Sequence, residues 1–289
     1  MKLLRIIALI FISSVSADPK VEAGAVKGTV IIDTHLHAFA ATPDGLDKAA
    51  EWMVQNGVVR AIIHPLPTSL AKNDAQRQKM LANFKKYKGK IYRFCIFTHE
   101  EVKTVEEAVK KLTREKKDGA IGFGEHYGRG LMFDDPANMR IYEACGKVGF
   151  PVMFHMERKK NEDKAGLPHL EAALKANPQC TFIAHGPLWW KQLGTGACDR
   201  LLGKYSNFYA DISAGSGLRA LSKNKEFTQK FMIKHSKKLL FGTDCGWWTF
   251  KKKLKPALHF DLMKNLDLPE KVKSLIYGGN AKRVFKFTK

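Results

Sequence analysis

The chain of 289 residues is poor in several things, and each shortage excludes a class of protein. It has five cysteines (Cys95, Cys145, Cys180, Cys198 and Cys245), none arranged as CxxC. That rules out a zinc ribbon and a disulfide-built scaffold, and the odd number leaves at least one thiol unpaired. After residue 15 no segment is long and apolar enough to span a bilayer. No stretch rich in Pro, Gly or Ser divides the chain. The fragments Gly122-Phe123-Gly124 and Gly215-Ser216-Gly217 lack the spacing of a dinucleotide-binding turn. Arginine is scarce as well, 11 of the 49 basic residues. Arg is the residue that grips phosphate bidentately, and no aromatic-interleaved basic stripe appears, so no specific nucleic-acid partner is expected.

What is present is a balanced globular composition, 45% hydrophobic and 27% charged, with a formal charge of +21. The lysines run along the whole chain, in groups such as Lys85-Lys86, Lys116-Lys117 and Lys251-Lys252-Lys253, and read as solvated helix faces. At the start, Met1-Lys2-Leu3-Leu4-Arg5 leads into an apolar run over residues 6–15 and then Val15-Ser16-Ala17. This is the pattern of a cleaved signal peptide over residues 1–17, which makes a periplasmic or secreted protein the expectation.

The body of the chain alternates. Apolar or β-branched runs fall at residues 30–32, 58–63, 91–97, 120–123, 152–154, 181–184, 208–210 and 239–241, with centres 26 to 33 residues apart. A strand, a helix and their two loops use about 30 residues. Between the runs lie stretches of helical periodicity: 101–117, 137–147 opened by Asp135-Pro136, 218–235 and 269–277. Eight βα units with no divider predict an α/β fold, a (β/α)8 TIM barrel forming a single domain over residues 28–289.

In such a barrel the chemistry lies where the strands end. The first run closes on Asp33-Thr34-His35-Leu36-His37, and residues two apart on a strand face the same way, so His35 and His37 project together. Two converging imidazoles begin a metal site. The fourth run ends at Glu125, the fifth at His155, the sixth at His185 and the eighth at Asp244.

These motifs resemble the amidohydrolase superfamily. Ile31-Ile32-Asp33-Thr34-His35-Leu36-His37 is similar to its opening motif, and Phe154-His155, Ala184-His185-Gly186 and Phe241-Gly242-Thr243-Asp244 to its fifth, sixth and eighth strand motifs. The ending from Tyr277-Gly278-Gly279-Asn280 to Phe285 is similar to the closing helix of the amidohydrolase-related branch, which includes lactonases and non-oxidative decarboxylases. The resemblance implies a divalent metal, zinc being the expected ion, held by His35, His37 and Asp244 with His155 as a further ligand. Asp244 would move the proton of the attacking water, and His185 would stabilise the oxyanion or relay a proton. One metal per chain is favoured. Two are expected if Glu125 bridges, with His155 and His185 on the second ion; the alternatives for Glu125 are a supporting charge or a partner for Arg129.

Arg129 and Arg158 are expected to bind a substrate carboxylate and Trp247 to cover an apolar face. Trp189 and Trp190 carry the same reading, and Cys245 is expected to pack in the core. The implied activity is metal-dependent hydrolysis of a C–O or C–N bond in a lactone, ester or amide, with a small-molecule and acidic substrate. The alternatives are a non-oxidative decarboxylase, a TatD-type binuclear phosphodiesterase, and a binding protein without turnover.

Overall fold

A computed structural model of the protein describes residues 29–42, 44–66, 71, 73–246 and 258–287. The expected leader and Trp247 lie outside the described residues. The strands are β1 (Ile31–His37), β2 (Val58–Ile63), β3 (Ile91–Cys95), β4 (Ala120–His126), β5 (Val152–His155), β6 (Phe182–His185), β7 (Phe208–Asp211), β8 (Leu239–Leu240) and β9 (Cys245–Gly246). Every residue of β1 is buried, as in a parallel sheet covered on both faces.

Neighbours pair in parallel in chain order from β1 to β8, and β9 returns to pair with β1 through Leu36 opposite Cys245 and His37 opposite Gly246. The amide of Thr34 donates to Phe241 O and that of Asp244 to His35 O, both at 2.9 Å, which lays residues 241–244 along β1. The curled sheet is a TIM barrel. Its eighth strand differs from the expected run at 239–241: it is two short pieces joined through Phe241-Gly242-Thr243-Asp244, with Asp244 in the left-handed region at φ 57°.

The helices between strands are α1 (Gly45–Gln55), α2 (Asp74–Lys86), α3 (Val105–Lys117), α4 (Pro136–Val148), α5 (Pro168–Ala176), α6 (Pro187–Lys191), α7 (Ala197–Lys204), α8 (Ala214–Leu221) and α9 (Lys225–Lys234). Local chemistry sets their ends. Asp135 caps α4 by accepting from Ala137 N at 2.8 Å, Pro136 takes the first position, and Gly149 at φ 77° ends it. The single helix expected over 218–235 is two, because Asn224 accepts from Phe227 N at 2.9 Å and caps a new start.

The chain closes with α10 (Leu258–Asn265), α11 (Glu270–Ser274), a π turn (Leu275–Gly279) and α12 (Asn280–Val284). Gly278 lies so close to β1 that a Cβ there would sit 2.3 Å from Val30 O. Beyond α12, Phe285 and Phe287 pack with Phe94 and Tyr92 and join a core of Ile32, Ile62, Met153, Ile183 and Leu240. They seal the end of the barrel where the strands begin.

Candidate metal centre

The alternation of β1 aims His35 and His37 into the barrel mouth, and second contacts fix their rings. His35 Nδ1 donates to Asp211 Oδ2 at 2.7 Å, and His37 Nδ1 donates to the backbone oxygen of His64 at 2.9 Å. The two Nε2 atoms then face each other across 3.3 Å. Two lone pairs at that distance repel unless positive charge lies between them. Asp244 Oδ1 is 3.0 Å from His37 Nε2 and 3.6 Å from His35 Nε2, and Glu125 Oε2 is 3.6 and 3.7 Å from the same atoms. A proton serves two of these atoms, whereas a divalent ion serves all four. Ligands held about 2.1 Å from a tetrahedral ion lie about 3.4 Å apart, so the donor set fits.

The field agrees. Burial alone would depress His35, yet the hydrogen bond to Asp211 and the charges of Asp244 and Glu125 hold its pKa well above the ordinary value. Glu125 stays far below the usual carboxylate range against the cost of its burial, because His185, His155 and His35 surround it. Asp244 and Asp211 are lowered for the same reason.

A second group sits beside the first. His155 and His185 lie opposite each other on β5 and β6. Glu125 Oε1 contacts His155 Nδ1 and lies 3.4 Å from His185 Nε2. Ser213 donates its one hydroxyl proton to Asp211 Oδ2 at 2.7 Å, so His185 Nδ1 must donate to Ser213 Oγ, 3.0 Å away. His185 Nε2 faces Glu125. Glu125 thus offers one oxygen to His35 and His37 and the other to His155 and His185, and each trio could hold an ion.

The structure therefore brings together His35, His37, Glu125, His155, His185 and Asp244. Glu125 does not pair with Arg129; histidines surround it. Arg129 and Arg158 are exposed and make no hydrogen bond or ion pair with the cluster. Trp189 and Trp190 are buried in the main core, as is Cys245.

Sequence reasoning missed Asp211 and Ser213 at the end of β7 and His64 after β2. Tyr127, just after β4, donates its hydroxyl to Glu125 Oε2 at 2.7 Å. The available signal for Asp211 was its place: an ionisable residue closing the seventh run, as His155 and His185 close the fifth and sixth. Asp33 has another task. Burial pushes its pKa up to about 7 while Thr243 Oγ1, His35 N and Thr243 N donate to it, which ties β1 to the chain carrying Asp244.

The amidohydrolase family profile matches residues 32–287. The chain belongs to the amidohydrolase family. It is an enzyme, a hydrolase or a related lyase. No curated protein matches it in sequence. Among solved structures it is similar to a putative 2-pyrone-4,6-dicarboxylic acid hydrolase from Pseudomonas putida, at 15% identity and TM-score 0.65, covering 90% of this chain and 99% of that one. A probable 2-pyrone-4,6-dicarboxylic acid hydrolase from Acinetobacter baumannii with citric acid bound matches at 15% identity and TM-score 0.61, covering 89% and 99%. A 5-carboxyvanillate decarboxylase from Novosphingobium aromaticivorans, complexed with manganese and a nitrobenzoic acid, matches at 14% identity and TM-score 0.59, covering 94% and 100%. At these identities the likeness is one of fold.

Proposed function

We propose that this amidohydrolase is a metal-dependent hydrolase that cleaves a C–O or C–N bond of a small carbonyl compound, a lactone, ester or amide bearing a carboxylate. The carrying observation is the convergence of His35 Nε2, His37 Nε2, Glu125 Oε2 and Asp244 Oδ1 within 3.0 to 3.7 Å of their neighbours. These residues would hold one divalent ion, and His155 and His185 with Glu125 a second. When bound, the metal polarises the substrate carbonyl and lowers the pKa of water.

The protein's own groups divide the remaining work. Asp244 is 25% exposed at its side chain, against 3% for Glu125 and 0% for Asp211, so it is the carboxylate that water and substrate reach. It takes the proton of the attacking water and returns it to the leaving oxygen or nitrogen. Asp211 and Ser213 hold the rings of His35 and His185. Tyr127 steadies Glu125 through its hydroxyl. Arg129 and Arg158, exposed after β4 and β5, are the candidates to meet a substrate carboxylate. Trp247 is the proposed apolar cover.

Acid ligands bound by two of the similar structures support an acidic substrate, and the decarboxylase among them keeps carboxylate loss as the second reading. Export through residues 1–17 to the periplasm or medium, with zinc as the ion, completes the proposal. The test is metal content per chain, followed by a panel of carboxylated lactones, esters and aromatic acids. Proton release without carbon dioxide supports hydrolysis. Carbon dioxide release selects the decarboxylase, and a chain that takes up no metal overturns both.

A further inference from the structure

The lysines do not spread evenly once the chain is folded. In a (β/α)8 barrel the helices run back toward the pole where the strands begin. Six of them, α2, α3, α4, α5, α7 and α9, carry Lys or Arg in the last turn. The connections into the next strands add Lys88, Lys90, Lys237 and Lys238, and the chain end adds Lys282, Arg283 and Lys286. In those last turns and connections the carboxylates are Glu115 and Asp118, both held by Arg77, with Arg93 also on Glu115. The opposite pole, around the metal centre, mixes signs: Glu100, Glu101, Asp134, Asp135, Glu157 and Glu162 stand among Arg129, Arg158, Lys159 and Lys160.

Helix dipoles favour cations at helix C-termini, but Lys88, Lys90, Lys237 and Lys286 lie beyond the helices. Lys86, Lys147, Lys204 and Lys234 at the helix ends pair with Asp47, Glu143, Glu171 and Asp199, whereas Lys88, Lys90, Lys237 and Lys286 form no ion pair with a described residue. Arg283 donates to Lys237 O, Lys238 donates to Tyr205 O and Ser206 O, and burial together with the Arg283 charge lowers the Lys238 pKa. Half-buried aromatics stand between them: Tyr92, Tyr209 under Lys238, and Phe287 under Arg60.

We infer that this pole docks on an anionic phospholipid surface, with the metal centre facing away from it. A ring of cations around the whole pole suits a plane, whereas a nucleic-acid strand asks for a stripe. Lysine over arginine suits diffuse attraction to headgroups, and amphipathic aromatics suit the interface.

The experiment is co-sedimentation of the purified protein with vesicles of phosphatidylcholine alone or equimolar with phosphatidylglycerol, across a salt series. Binding is expected with the anionic vesicles only, weakening as salt rises. Changing Lys88, Lys90, Lys117 and Lys237 together to Glu should lower the partition by about tenfold or more. Changing Lys103, Lys110, Lys223 and Lys225 to Glu removes the same charge elsewhere and should leave most of it. All eight are exposed and form no ion pair with a described residue, so both variants should fold, which circular dichroism checks. Equal loss in the two variants would reduce the effect to net charge and overturn the inference. Absent binding to anionic vesicles, or tighter binding to nucleic acid than to vesicles, would overturn it too.

Discussion

Asp211, the last residue of β7, accepts a hydrogen bond from Nδ1 of His35, a residue 176 positions earlier, at 2.7 Å. Both side chains are fully buried. The bond decides which nitrogen of His35 faces the barrel mouth, and Ser213 passes the same constraint to His185.

Replacing Asp211 by Asn is therefore expected to weaken metal binding by about 10- to 100-fold while the barrel still folds. Titration against buffered metal reads the affinity, and circular dichroism reads the fold. Unchanged affinity would show that the ring of His35 holds its orientation without this carboxylate.

Asp244→Asn separates proton transfer from folding. Turnover should fall by about 10²- to 10⁴-fold, with the chain still folded and KM moving less than kcat. A variant retaining full turnover would assign the base elsewhere.

Stripping the protein with a chelator should abolish activity and lower Tm, because an ion bound by the folded site and not by the unfolded chain stabilises the fold. Re-addition of a single divalent ion species restores both. A rise in Tm on chelation would contradict the site.

Away from the centre, Glu171 on α5 takes hydrogen bonds from Lys204 and Tyr205 of the α7 end and pairs with Arg200. The Lys204 bond leads in pulling its pKa to about 2, below the ordinary carboxylate value. Its stabilisation is present above the unfolded pKa and disappears as pH falls toward about 2. Glu171→Gln should thus have a lower Tm than the parent near neutrality, and the gap should close on acidification. A gap that persists at the lowest pH would point to packing instead.

All five cysteines are buried and none is in a disulfide, and burial raises the pKa of Cys95, Cys145, Cys180 and Cys198. A thiol reagent should label none in the native protein and five after denaturation.

Much of the fold was legible because parallel strands buried on both faces leave apolar runs, and crossovers fix their spacing. The eighth run at 239–241 led to β8, but its second piece, Cys245–Gly246 beyond Phe241-Gly242-Thr243-Asp244, is too short to leave a periodic signal. Asn224 as a cap was overlooked inside a stretch whose periodicity continues across it. In the site, His35, His37, Glu125, His155, His185 and Asp244 stood out as ionisable residues closing strands. Asp211 did not, because an Asp after Phe-Tyr-Ala reads as ordinary turn chemistry until the strands are laid side by side.

Among the described residues, Phe285 and Phe287 close the barrel end opposite Asp244. Traffic to and from Asp244 then runs on the side where the strands end, so whatever narrows that side slows arrival and departure together.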